Sequence, residues 1–319
     1  MSSPLFSIKV KNLKTAYKIN GSFLNAVDGV DLGILEGEVV GLAGESACGK
    51  STLAYSILRL LPANGEIING EIFLGEKNLI NMSDNEFRKI RWKEMSIVFQ
   101  GSMNALNPCM TTIDQINEAI LAHEEVTKEE ATARSIKLIR EVGIAERFIE
   151  SYPHELSGGM KQRVVIAMAL ACEPKVLFAD EPTTALDLIA QKNIIDVMKE
   201  IQERMNLSVL LISHDLSVIA QMAHRCAIMY AGKIVEFGDT ATIFHNGLHP
   251  YTKALIGAFP DIRSDKEISG IPGDPPDLIN PPSGCRFNPR CPLAADICRR
   301  TEPELEEKNG RPVACHMVE

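Results

Sequence analysis

The sequence predicts an α/β fold built on parallel strands, and three observations carry that prediction. An apolar run at 39–43 is followed by the glycine-containing loop Gly44-Glu45-Ser46-Ala47-Cys48-Gly49-Lys50-Ser51, then by an apolar helical stretch at 51–61 that stops before Pro62. A second apolar run at 176–179 ends in Asp180-Glu181, a helical pattern fills 191–204, and a third run at 209–212 ends in Ser213-His214. Strand, helix and strand in that order are what a βαβ unit requires. The chain is also long enough, at 319 residues with 45% hydrophobic and 24% charged, to bury a large core and to fill about two domain-sized units.

Residues 1 to about 95 read as strands and turns around the glycine loop, with hairpin signals at Gly21, Gly37, Gly65 and Gly70. The stretch 105–165 changes character. There Thr127-Lys128-Glu129-Glu130 is a capping box opening an amphipathic helix through Val142, stopped by Gly143. A buried helix is expected over 164–172. Runs at 227–230 and 233–237, joined across Ala231-Gly232, predict a closing hairpin. Beyond about Phe244 the chain turns Pro-rich and irregular, and no internal repeat or sustained heptad pattern is present.

The loop at 44–51 fits G-x-x-x-x-G-K-[ST], a phosphate cradle in which the backbone wraps phosphates, Lys50 reaches them and Ser51 can ligate Mg²⁺ at the positive end of the next helix. Asp180-Glu181 delivers two carboxylates at a strand end, one able to serve a metal and the next to face an attacking water. Taken alone, such a pair is more often a solvated strand end. Leu156-Ser157-Gly158-Gly159 followed by Lys161-Gln162-Arg163 opens a helix whose N-terminal amides suit a phosphate, with small residues permitting close backbone approach. Helix capping by Ser157 is the plain reading and does not compete with it.

That last motif resembles the signature sequence of ABC-transporter ATPases, and the other family elements stand in the family's order. Val98-Phe99-Gln100 resembles the Q-loop, Val176-Leu177-Phe178-Ala179-Asp180-Glu181 the Walker B strand, Ala185-Leu186-Asp187 the D-loop, and Ile212-Ser213-His214-Asp215 the switch histidine. The resemblance implies a P-loop NTPase (RecA-like) ABC nucleotide-binding domain at 1–244, with a helical subdomain inserted at about 105–165. It implies ATP and Mg²⁺ as ligands, with Gly44 through Thr52 on the phosphates, and Ser51, Asp180 and Gln100 on the metal. Glu181 would be general base, His214 would hold the γ-phosphate and Glu181, and Tyr17 would stack on adenine. Ser157, Gly158, Gly159 and Asp187 would face the partner subunit's nucleotide, so hydrolysis is expected to need a sandwich dimer. Close relatives usually carry Gly-Ser where this chain has Ala47-Cys48. Ala47 must therefore sit in a region open to L-residues, and Cys48, near a helix N-terminus and Lys50, is expected to have a lowered pKa and to be easily alkylated.

The tail, residues 245–319, resembles the C-terminal extension of dipeptide and oligopeptide importer ATP-binding subunits, through 249–255, 271–276 and 284–292. Leu106-Asn107-Pro108 recurs in the same group. Of eight cysteines, Cys109, Cys172 and Cys226 read as small packing residues, whereas Cys285, Cys291, Cys298 and Cys315 crowd the last 35 positions. Close C-x2-4-C pairs of the zinc type are missing. A [4Fe–4S] cluster imposes no such pair, Cys291-Pro292 resembles the Cys-Pro at cluster ligands, and relatives with this tail imply a cluster there; zinc and free or oxidised thiols remain as alternatives.

A net charge of −9 and a pI near 5.4 argue against non-specific nucleic-acid binding. The first nine residues lack a signal-peptide pattern, and no apolar run reaches the roughly 18 residues of a spanning helix. The expectation is an ATPase peripheral to the cytoplasmic face of a membrane, pairing with a homologous ATPase and two transmembrane permease subunits, and indirectly with an extracytoplasmic solute-binding protein. Peptides are the expected cargo. Nickel or oligosaccharide import, or a soluble ABC ATPase acting on nucleic acid or ribosomes, are the alternatives.

Overall fold

The structure, a computed structural model, describes residues 5–258 and 270–319; residues 1–4 of the N-terminal stretch lie outside it. The described residues form two compact units with interleaved chain segments. One combines 5–7 with Ile34–Glu38 and Asn81–Leu211; the other combines Ile8–Gly33, Val39–Ile80 and the described part of Ile212–Glu319.

In the second of these, a four-stranded antiparallel sheet runs in the order Ser22–Leu35, Phe6–Ile19, Gly65–Leu74, Lys77–Asn78. Asn20 and Gly21 join its first two strands with φ of 49° and 83°, the left-handed pair that a type I′ hairpin turn requires. Gly65 closes a turn, its N–H donating to Pro62 O at 2.8 Å, and opens the strand Gly65–Leu74. Gly70 lies inside that strand, opposite the register shift between Lys11 and Lys14, so there a glycine read as a turn signal marks a bulge instead. The strand Val39–Ala43 runs parallel to Arg225–Tyr230, from Val40 opposite Arg225 to Ala43 opposite Ile228. Arg225–Tyr230 then pairs antiparallel with Lys233–Asp239 across Ala231-Gly232, the predicted hairpin. All five residues of Val39–Ala43 are buried, which explains why its sequence is a continuous apolar run and not an alternating one.

In the other unit Met95–Val98 pairs parallel with Val176–Asp180, and Ser208–Ile212 lies on the far side of that strand. The predicted helix is Lys128–Glu141, with both bonds of the Thr127/Glu130 capping box formed and Gly143 at φ 72° behind it. The helix Leu188–Met205 begins three residues before its predicted start, because Asp187 accepts from Ala190 N–H at 2.8 Å and caps it there. The helix Thr112–His123 has no counterpart in the sequence reading.

The helix after the glycine loop spans Lys50–Ile57 and ends well before Pro62, since Arg59 turns left-handed at φ 51°. The tail is less irregular than its composition implies. It holds helices Pro250–Gly257 and Asp296–Arg300 and a hairpin of Glu306–Lys308 with Arg311–Val313, whose Val313 pairs with Glu236 of Lys233–Asp239. Among the described residues no helix is long and apolar enough to cross a membrane.

Candidate active site

The loop Gly44–Ser51 is threaded close to neighbouring backbone. A Cβ on Gly44 would come 2.1 Å from Met229 O, and one on Gly49 would come 2.1 Å from Ala26 O. Both also have positive φ, 154° and 108°, so glycine is required twice over. Lys50 is 6% exposed and its Nζ donates to Gly44 O and Glu45 O, each at 2.8 Å. The ammonium thus ties the loop to the helix it opens. Ser51 and Thr52 follow in the first turn, half-buried, and Thr52 Oγ1 shares a 3.1 Å hydrogen bond with Tyr17 Oη. The Tyr17 ring lies against Gly65, where a Cβ would approach it to 2.8 Å.

Ala47 has φ 62°, in the left-handed well, the smallest of the regions open to L-residues. One expectation for this loop is corrected. Cys48 is 5% exposed, and burial raises its thiol pKa despite the attraction of Lys50, whose Nζ is 3.6 Å from Sγ. It is a buried, protonated thiol and not an accessible reactive one. Ser46 is exposed. His214, in the same unit, is exposed directly after the strand ending at Ile212.

The other unit carries the two carboxylates. Asp180 ends its strand fully buried, and Glu181 follows half-buried at φ 49°. Gln100 Nε2 donates to Glu181 Oε2 at 2.8 Å, and Thr184 Oγ1 donates to the same oxygen at 2.9 Å. Gln100 therefore meets the second carboxylate of the pair. Thr184 is missed by the sequence reading, although a hydroxyl three residues beyond a strand-end carboxylate is a local signal for such a bond. Ser157 accepts from Met160 N–H at 3.3 Å and caps the helix Gly158–Leu170. Ser157, Gly158, Gly159 and Asp187 line one open concavity, so the starts of the helices Gly158–Leu170 and Leu188–Met205 share a surface. Hard oxygen donors, the Asp180 carboxylate and the Ser51 hydroxyl, suit Mg²⁺ in kind.

All eight cysteines of the chain are free; of the four in the tail, Cys285 and Cys291 are half-buried and Cys298 and Cys315 are buried. Burial pushes the Cys285 thiol up to about 11, reinforced by the negative potential of Cys315, Cys298 and Cys291. Cys285 N–H also donates to Cys298 O at 2.8 Å. The donor chemistry fits a thiolate-held group, but among the described residues no three His, Cys, Asp or Glu side chains are arranged to hold a metal ion. The formed metal centre expected from the sequence is thus not met by this geometry. Cys172 and Cys226 are buried as expected of packing residues, whereas Cys109 is exposed, in the turn before Thr112–His123.

A model of the ABC transporter family matches residues 27–184, and a model of the oligopeptide/dipeptide transporter C-terminal region matches 235–298. Dipeptide transport ATP-binding proteins of Caldanaerobacter subterraneus and Escherichia coli are each 42% identical to the chain, over 98% and 97% of it and 97% and 96% of their own length. The chain belongs to the ATP-binding proteins of the peptide-type ABC transporters. A solved dimeric ABC cassette, described as a post-hydrolysis state with ADP and Pi, is 31% identical with a TM-score of 0.65, over 73% of this chain and 98% of that one. The CbiO1 protein of Clostridium perfringens, part of an ABC transporter complex, is 26% identical with a TM-score of 0.66, over 76% of this chain and 92% of its own. As a member of the ABC family the chain is an α/β P-loop ATPase, whose reaction is the hydrolysis of ATP to ADP and phosphate.

Proposed function

We propose that this chain is the ATP-hydrolysing subunit that powers import of dipeptides or oligopeptides. Membership of the peptide-type family and the matched tail support the cargo; the observation that carries the chemistry is Glu181, fixed by Gln100 and Thr184 directly after a buried Asp180. Phosphoryl transfer asks a protein for positioning and charge compensation more than for covalent chemistry. On this reading the loop from Gly44 to Thr52, including Glu45, Ser46, Ala47, Cys48 and Gly49, takes the phosphates, with Lys50 compensating their charge. Tyr17 stacks on the base. Ser51 and Asp180, with Gln100, are assigned to Mg²⁺, which when bound neutralises phosphate charge. Glu181 removes the proton from the attacking water, and His214 holds the γ-phosphate end.

Ser157, Gly158 and Asp187 are exposed and Gly159 half-buried, at the starts of the helices Gly158–Leu170 and Leu188–Met205, and the four serve the nucleotide of a homologous partner ATPase. Two permease subunits would carry the pair on the cytoplasmic face of the membrane, receiving cargo from a solute-binding protein. The decisive test is Glu181→Gln in the assembled transporter. Turnover is expected to fall more than about 100-fold while ATP binding persists and a closed dimer accumulates; near-normal turnover would remove Glu181 from the base role.

The four tail cysteines are proposed as ligands of a [4Fe–4S] cluster, with zinc the less favoured occupant, supported by the crowding of four soft donors into the last 35 positions. Iron, acid-labile sulfide and zinc analysis of anaerobically purified protein tests this. Near-stoichiometric iron and sulfide, lost on Cys291→Ser, is expected; neither metal present would overturn it.

A further inference from the structure

The C-terminal extension reaches back to the phosphate loop through one residue. Glu45, second in that loop, is gripped by Arg290 in a two-pronged ion pair, Nη1 to Oε2 at 2.7 Å and Nη2 to Oε1 at 3.0 Å. Its backbone N–H donates to Tyr251 Oη at 2.8 Å, and its carbonyl accepts from Lys50 Nζ at 2.8 Å. Glu45 is thus fixed at its side chain and amide by the extension, and at its carbonyl by the loop's own lysine.

The grip is itself braced. Arg290 is 9% exposed; its Nε donates to Pro272 O at 2.8 Å and its Nη1 to Tyr230 Oη at 3.3 Å. Tyr230, Tyr251 and Phe287 pack ring against ring, with centroids 4.5 to 5.4 Å apart. Guanidinium and phenol are thus each held by more than one contact. A buried ion pair of this kind adds little net stability over an apolar replacement, because desolvation offsets its attraction, but its fork geometry fixes position. Since Lys50 hangs on the carbonyls of Gly44 and Glu45, a shift of Glu45 shifts the ammonium as well.

We infer that the C-terminal extension is a built-in positioning element of the phosphate loop, in which Arg290 and Tyr251 act through Glu45 to set the loop's affinity for ATP. The inference rests on the reading that this loop binds ATP. Arg290 also immediately precedes Cys291, so the cysteine region and the phosphate loop share a mechanical link.

The test is equilibrium binding of a fluorescent ATP analogue to the full chain, with KM and kcat for ATP in the assembled transporter and thermal melting of each variant. Arg290→Ala is expected to weaken binding on the order of tenfold, the range typical of coupling between sites, and to raise KM more than it lowers kcat. Arg290→Lys, which keeps charge but loses the fork, should fall in between and covers the case in which the alanine variant fails to fold. Glu45→Gln combined with Arg290→Ala should bind no worse than the weaker single variant, the non-additivity a shared contact demands. Folded Arg290→Ala and Arg290→Lys proteins binding ATP like the parent chain, or fully additive effects, would overturn the inference. If the parent chain itself bound no ATP, the reading of the loop would fall first, and with it this one.

Discussion

Ala47, Glu181 and Ala185 have φ of 62°, 49° and 65°, so three residues in the loops assigned to ATP sit in the left-handed well that costs an L-residue roughly 1–2 kcal/mol. Strain of this kind persists where surrounding structure over-determines it, and it gathers at working sites. At Ala47 the sequence carries no reward for the cost, since glycine adopts the same φ freely. Ala47→Gly is therefore expected to raise the unfolding free energy by up to about 1 kcal/mol, left-handed relief less the extra entropy of an unfolded glycine; a denaturant titration measures it. Glu181 poses the opposite case, because its backbone aims a carboxylate that two donors then hold. Removing either donor, by Gln100→Ala or Thr184→Ala, should lower kcat about tenfold through misplacement of the proposed base. Thr184 bonds the Glu181 carboxylate and is itself assigned to neither the metal nor the phosphates, so Thr184→Ala should leave ATP affinity little changed. Single-turnover hydrolysis at saturating ATP and Mg²⁺ reads this directly.

Elements were legible in the sequence when they were long or when chemistry marked their ends. The capping box at Thr127 and Glu130 located Lys128–Glu141, and uninterrupted apolar runs located Val39–Ala43 and Val176–Asp180. Ser83 and Glu86 form the same box on Asp84–Ile90, yet that helix buries only Phe87 and Ile90 and is too short for a periodicity to show. His249 illustrates a cap that composition hides. Its Nδ1 accepts from Tyr251 N–H at 3.0 Å at the start of Pro250–Gly257, so the imidazole must be neutral. Burial holds its pKa down at about 4, against the pull of the nearby Glu236 carboxylate and the hydrogen bond with the Ala314 backbone. The sign follows: the unfolded chain, titrating near 6.5, binds the extra proton between about pH 4 and 6.5. Stability is complete above pH 6.5 and declines as pH falls toward 4, by on the order of 3 kcal/mol from this group. Replacement by Asn, which keeps an acceptor without the basic ring, should flatten that limb of the stability–pH curve measured by denaturant unfolding.

At the scale of the whole chain, the joins between distant segments are what the sequence conceals. Nothing local in Arg311-Pro312-Val313 announces a strand that pairs with Lys233–Asp239, and nothing near Glu236 announces that a carboxylate will be fully buried there. Glu236 is satisfied by partners from two separate stretches: Leu248 and His249 N–H groups at 2.9 Å, and Arg311 Nε at 2.8 Å. Arg311, 5% exposed, also donates to Asn246 O. Truncating it takes the paired guanidinium away from an interior carboxylate, which typically costs about 3–5 kcal/mol, far more than the net worth of the pair. Arg311→Ala should thus lose that much unfolding free energy. Arg311→Met with Glu236→Gln, which fills the space, removes both charges and keeps an acceptor for the two backbone donors, should recover most of it. Chemical denaturation of the two variants against the parent decides the point. Recovery in the double variant would place the cost in the orphaned charge, whereas equal losses would place it in the packing of the terminal hairpin.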